Sequence, residues 1–405
     1  MMLKRTLTIA AITAGALCAW VAAPALSLKP YIPEAVDFEQ RLPQAKRLDP
    51  AQTPPEKHGG RDDHAHEDSR WISPPLEAPH EFDLVGVAGE LRTVEIRVRD
   101  SGGEWGEWVA QEDATPIYVD GAEEAQVRAP FKPAGELHYV NVSGSAGGLG
   151  SRLLGTARTA INSAFISVAS TPVAQALAPK PAFVVRSAWG ADLAEGGCPP
   201  LGPPEYGEVR AAAIHHTVNA NEYTAAEAPG IVLGICRFHV YGNGWNDIGY
   251  NALVDRFGTL YEGRAGGLTN PIVGAHAQGF NAQTTSIASI GEHSALGLTP
   301  EAQGAVVRYL AWKLHKSGLK PATATNTLTS AGGELSKYSA GSVVTLPRIL
   351  GHGDLGLTAC PGAALNAQIA TIRRLVQKRI KKYSKSKKKK GKGNKGKGKR
   401  KPGRG

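Results

Sequence analysis

The chain lacks a second hydrophobic run. After the apolar stretch at residues 7–23, nothing in its 405 residues is long and apolar enough to cross a bilayer, which excludes a protein of several membrane spans. With Lys4 and Arg5 ahead of it and Ala23-Pro24-Ala25 behind it, residues 1–28 read as a secretory signal peptide. The competing reading is an anchor that stays in the membrane. Cysteine is scarce too: there are four. Cys18 is expected to leave with the signal, so Cys198, Cys236 and Cys360 remain, an odd set in which one thiol needs another use. Cys198 and Cys236 are near enough to close a modest loop, and export permits that disulfide. Cys360 is left over.

Acid is absent from residue 378 onward, where sixteen Lys and Arg fall. The formal net charge of +10 belongs to that appendage. Without it the chain carries −6, and −8 once Lys4 and Arg5 are gone. The tail, 378–405, has nothing to bury after Tyr383 and is expected to stay unfolded alone. Such a polycation suits anionic wall polymers or phospholipid head groups, and would bind nucleic acid without sequence preference. A specific nucleic-acid-binding protein conflicts with the signal and the acidic body.

What is present divides the chain into segments. Apolar residues make up 42%, enough for real cores, and 48 Gly with 27 Pro favour β-rich and α/β parts over a helical bundle. Residues 29–78 are polar and aperiodic and read as a disordered leader, in which His64 and His66 lie among acids. Thr93-Val94-Glu95-Ile96-Arg97-Val98-Arg99 alternates strictly, and short strands follow at 105–109, 117–119, 125–128 and 137–142. Residues 79–145 are therefore expected to form a small all-β, sandwich-like domain. Trp105 and Trp108 suit either a packed aromatic edge or a sugar-stacking platform. Residues 146–182 read as a linker with one weak helix near 157–168. Residues 183–377 alternate strands with helices, including 300–317 with Thr299 as N-cap, which predicts an α/β domain with a mixed β-sheet flanked by helices.

Three polar positions close apolar runs in that second domain. His215-His216 ends Ala211-Ala212-Ala213-Ile214, His352 follows Ile349-Leu350-Gly351, and Cys360 comes eight residues after His352. Two imidazoles and a thiolate offer three ligands to a borderline-soft ion such as zinc and leave a fourth position open. Spacing alone does not separate this from buried histidines and a free thiol.

Five ordered motifs add to the spacing. Ile214-His215-His216-Thr217, Trp245-Asn246-Asp247-Ile248-Gly249-Tyr250-Asn251, Tyr261-Glu262-Gly263-Arg264, Gly274-Ala275-His276, and the segment from Gly351-His352-Gly353-Asp354 through Thr358-Ala359-Cys360-Pro361-Gly362 resemble the peptidoglycan recognition protein and type 2 amidase family. The phage T7 lysozyme amidase is similar to that family. The resemblance covers about 186–375. A weaker one, on Arg97-Val98-Arg99-Asp100 and Trp105-Gly106-Glu107-Trp108, links residues 85–142 to the β domain preceding this module in some secreted bacterial members.

The resemblance implies a Zn2+ site at His215, His352 and Cys360, with Tyr250 and Thr358 as polar catalytic groups. It further implies that Asn251, Arg264 and His276 line the groove for peptidoglycan. It points to a monomeric, secreted or wall-associated N-acetylmuramoyl-L-alanine amidase; the alternative is a recognition protein that binds peptidoglycan without cleaving it. Members that only bind commonly carry serine at the position of Cys360. Two departures stand out: Thr358 replaces the phage enzyme's lysine, and Ala288 falls where cytoplasmic relatives carry a catalytic glutamate. His216 and His239 are expected to pack or orient their neighbours.

Overall fold

Alternating side chains build the first sheet. Its strands are β1 (Val36–Arg41), β2 (Lys46–Arg47), β3 (Trp71–Ile72), β4 (Leu76–Val87), β5 (Val94–Arg99), β6 (Val109–Gln111), β7 (Ile117–Ala129) and β8 (Glu136–Asn141). All pairs are antiparallel, in the order β1-β8-β4-β7-β3-β2, with β5 between β6 and β7. The computed structural model describes residues 36–48, 71–142 (apart from 91, 101, 102 and 113) and 178–395, with backbone alone at 36, 120 and 384–395. The expected signal peptide, His64, His66 and the weak linker helix lie outside the described residues, as does the end of the tail.

The stretch read as a disordered leader supplies β1, β2, β3 and the start of β4. Its own pattern is weak because the partner strand provides most of the apolar contact: Phe38 stacks on Tyr139 at 4.9 Å, and the Tyr139 hydroxyl donates to Gln40 at 3.0 Å. The strands expected at 117–119 and 125–128 are one, β7. No strand forms at Trp105. There Arg97 lies 4.8 Å from the Trp105 ring and 4.6 Å from Trp108, with Arg99 and Arg128 stacked as well, so guanidinium groups hold the faces a sugar would need.

The second sheet is mixed. Its strands are β9 (Ala211–His216), β10 (Ala252–Val254), β11 (Leu260–Glu262), β12 (Thr284–Ser289) and β15 (Ile349–Gly351). They run in the order β11-β10-β12-β9-β15, and only the β10–β11 pair is antiparallel. A hairpin of β13 (Thr325–Thr329) and β14 (Val343–Pro347) stands apart. Helices α2 (Pro300–Lys316) and α3 (Ala363–Lys395) cover one face, packing on Ile214, Val254, Ile287 and Ile349. On α2 the Thr299 hydroxyl accepts from Ala302 N at 3.2 Å, capping the helix as expected. The other face meets Leu253 and Ala288 with α1 (Ala228–Arg237), which continues into a π-helical turn at Phe238–Gly242. The tail expected to begin unfolded at 378 starts as helix, since α3 runs to Lys395. Leu365, Ile369, Ile372, Val376 and Ile380 bury its apolar stripe. Beyond them lysines are good helix formers and complement the negative end of the helix dipole.

The two sheets share a core. Along β4, Val85 and Val87 face the first sheet's own interior, whereas Leu84 packs with Ile231, Ile235 and Phe238; on β8, Tyr139 faces inward and Val140 outward to the same helix. Both strands are thus buried on two faces, which in β4 matches the apolar run Leu84-Val85-Gly86-Val87. Arg237 Nε reaches Asp37 Oδ1 at 3.0 Å across the same contact. Gly86 permits the close approach: a Cβ there would stand 2.6 Å from Phe238 Cζ and 3.1 Å from Gln111 Nε2. Gly86→Ala is therefore expected to cost about 1–3 kcal/mol by overpacking. A thermal melt with an unchanged midpoint would contradict the shared core.

Candidate metal and catalytic site

The parallel strands of the second sheet end at one place, where such sheets usually bind ligands. His215 is the penultimate residue of β9 and pairs with Ala288 on β12; the neighbouring Ile214 pairs with Gly351, which places His352 alongside. Cys360 is brought back by a tight loop in which Gly353 N donates to Cys360 O at 2.7 Å. A side chain at Gly353 would press on Thr358 O at 2.9 Å, so glycine suits this approach.

Among the described residues, His215, His352 and Cys360 form a group able to hold a metal ion, with ligand atoms within 4.8 Å of one another. Cys360 Sγ lies 3.6 Å from His215 Nδ1, and the two imidazole rings are 4.5 Å apart. Metal–ligand bonds of about 2.0–2.3 Å need ligand atoms roughly 3.3–3.8 Å apart, so the set fits with little closure. The three residues are 1%, 4% and 2% exposed. Burial, then the neighbouring His352, His276 and His216, hold His215 well below the usual histidine pKa, leaving a neutral imidazole that can donate a lone pair.

His276, expected at the groove, is 6% exposed, and its Nδ1 lies 3.1 Å from His215 Nε2. That contact turns His215 Nδ1 toward the thiol, as the partners of metal-binding imidazoles commonly do. Asn251 is likewise structural in its contacts. Its Oδ1 accepts from Ser286 N at 2.8 Å and its Nδ2 donates to Ile272 O at 3.0 Å, tying β10 to its neighbours. Of the three expected groove residues only Arg264 stays partly exposed, with Nη1 on Ile248 O at 3.3 Å. Cys198 and Cys236 are bonded to each other, and Cys360 stands outside that disulfide.

Tyr250 is 5% exposed, its ring 5.4 Å from that of His215. His239 stacks on Trp245 at 4.7 Å and accepts from Gly249 N through Nδ1 at 3.1 Å, so its proton sits on Nε2, facing Thr115. The first sheet enters here. Thr115 Oγ1 lies 3.1 Å from the Tyr250 hydroxyl, and Thr358 Oγ1 donates to Glu112 Oε2 at 3.0 Å. Thr358 therefore directs its proton at a carboxylate rather than into an oxyanion site. Glu112 and Thr115 carry no sequence signal, being separated by 246 and 135 residues from the groups they touch.

Burial also lowers His239 to about 3 and His276 to about 3. An unfolded histidine charges near 6.5, so below that pH the unfolded chain binds more protons and folding is disfavoured. Each group can remove up to about 1.4 kcal/mol per pH unit between 6.5 and its folded pKa. The metal-free protein should show a lower denaturant midpoint at pH 5.5 than at 7.5, a window where ordinary carboxylates barely titrate. A flat midpoint would contradict the neutral, buried imidazoles.

Comparison with known proteins agrees on the second domain. A family model described as N-acetylmuramoyl-L-alanine amidase matches residues 205–363. The chain is 32% identical over 163 residues to peptidoglycan-recognition protein SC2 of Drosophila melanogaster, covering 40% of this chain and 72% of that protein. It is 30% identical over 187 residues to the N-acetylmuramoyl-L-alanine amidase of Mus musculus, covering 46% of this chain and 29% of that one. The solved structure of Drosophila PGRP-LB is 25% identical, covering 47% of this chain and 93% of that chain, with a TM-score of 0.36.

Proposed function

The chain belongs to the type 2 N-acetylmuramoyl-L-alanine amidase and peptidoglycan-recognition protein family, and on that premise we propose that it is a zinc-dependent amidase. Its substrate in this reading is the amide between the lactyl group of N-acetylmuramic acid and the L-alanine of the peptidoglycan stem. One observation carries the proposal: two buried imidazoles and a buried thiol converge at the ends of β9 and β15, within 4.8 Å. Their nitrogen and sulfur donors match the preference of zinc, with His215, His352 and Cys360 as its ligands. Bound zinc would lower the pKa of water and polarise the amide carbonyl.

The chain's own groups supply the rest. Tyr250 stands beside His215 and offers a phenol to the oxyanion or the attacking water. His276 holds His215 in the orientation that presents Nδ1. Arg264 is left to meet substrate at the partly exposed edge. We place the protein outside the cytoplasm, a reading the Cys198–Cys236 disulfide supports. The basic tail would then retain it on anionic wall polymers, which are the polyanions present there.

The test is mass spectrometry of fragments released from purified peptidoglycan with and without a chelator. Stem peptides with a newly freed L-alanine amino terminus, lost on chelation, are expected. Tight pelleting on the wall with no release would favour recognition without cleavage.

A further inference from the structure

A turn of the first sheet reaches into the site of the second, and its backbone is strained where it does so. Thr115 N donates to Glu112 O at 3.0 Å, closing the turn between β6 and β7. At its tip Ala114 has φ of 53°, a left-handed conformation that costs a non-glycine residue about 1–2 kcal/mol. The second domain holds it there: Asn243 Nδ2 donates to Ala114 O at 2.7 Å. Across the contact, Val218 has φ of 55°, just beyond His215-His216-Thr217. With its amide oriented to satisfy both atoms, Asn219 accepts from Tyr118 N at 2.9 Å and donates to Thr217. These are the two non-glycine residues of positive φ among the described residues, and each lies beside a hydrogen bond that joins the two domains. Strain of this kind persists where surrounding structure imposes it, and it gathers at functional sites.

The turn delivers a carboxylate. Glu112 Oε2 lies 3.0 Å from Thr358 Oγ1, which in turn accepts from Cys360 N at 3.1 Å, and 3.8 Å from Nε2 of His216, the neighbour of His215. A second carboxylate, Glu292, stands 3.9 Å from His216 Nδ1, but its Oε1 accepts from Ser294 N at 2.7 Å on the side away from Glu112. The Glu112 side chain is 14% exposed, so solvent still reaches it. At Ala288, beside His215 in the sheet, the second domain has only a methyl group and no base of its own.

We propose that Glu112, contributed by the N-terminal sheet, is the proton carrier of the amidase reaction, oriented by Thr358. This rests on the amidase reading above. As water adds to the amide carbonyl carbon, one of its protons passes to the Glu112 carboxylate. When the C–N bond breaks, the departing nitrogen takes that proton, leaving a carboxylic acid, an amine and Glu112 as it began. The N-terminal domain is then part of the active site rather than an accessory to it.

The experiment compares full-length wild type, Glu112→Gln and Glu112→Asp on a soluble N-acetylmuramoyl tripeptide, with zinc content measured on each. Glutamine keeps the size of the side chain and an acceptor for Thr358. Loss of the base should lower kcat about 10²–10⁴-fold, while KM and zinc content stay near wild type and Glu112→Asp recovers part of the rate. Unchanged kcat in Glu112→Gln would overturn the proposal, as would higher kcat, which would make the turn an inhibitory cap. Loss of zinc in that variant would also overturn it, by assigning Glu112 to metal retention. A zinc-loaded wild type that cleaves nothing would instead overturn the amidase reading itself.

Discussion

On the proposed zinc-amidase reading, Cys360→Ser is expected to lose zinc and turnover together while the fold survives. Cys360 is 2% exposed and its sulfur lies 3.6 Å from His215 Nδ1, so the hydroxyl that replaces it sits in the same buried corner without a thiolate's charge or softness. A change of one atom leaves the surrounding packing nearly undisturbed. Because metal activation of water and carbonyl is worth several kcal/mol, the rate should fall by at least about a thousandfold. Metal analysis of the purified variant gives the sharper reading, since it does not depend on knowing the best substrate. Full zinc occupancy in Cys360→Ser would remove Cys360 from the ligand set.

Tyr250→Phe should give the opposite pattern, a loaded centre that works poorly. The ring 5.4 Å from His215 stays, and only the hydroxyl beside Thr115 is lost. Removing one positioned donor at a developing oxyanion typically costs about 10²–10³ in kcat. KM and zinc content should change little, which separates this loss from damage to the metal site. Wild-type turnover in Tyr250→Phe would take the phenol out of the mechanism.

The metal group was legible because each member interrupts a pattern. His215 and His352 close runs of buried small or aliphatic residues, and Cys360 is the thiol left when the other two pair. The helix expected at 300–317 declared itself through its period and the Thr299 cap, and it forms at 300–316. The contacts from elsewhere in the chain were not legible. Nothing in Glu112 or Thr115 distinguishes them from loop residues until a sheet with its own core sets them against Thr358 and Tyr250. Asn251 and His276 were legible as polar motif residues, but not their contacts inside the fold, where one ties strands together and the other lies against an imidazole. The strands of the polar leader were hidden for a similar reason, as Phe38 finds its aromatic partner on β8.

The core shared by the two sheets also has a consequence for how the molecule comes into being. A chain growing from its amino end completes β4 and β8 long before α1 exists to cover Leu84 and Val140, so an early fragment carries an uncovered greasy flank and needs shielding. The last ligand, Cys360, comes later still. Copies that end before residue 360 therefore lack the complete set of candidate metal ligands, however much of the rest has folded.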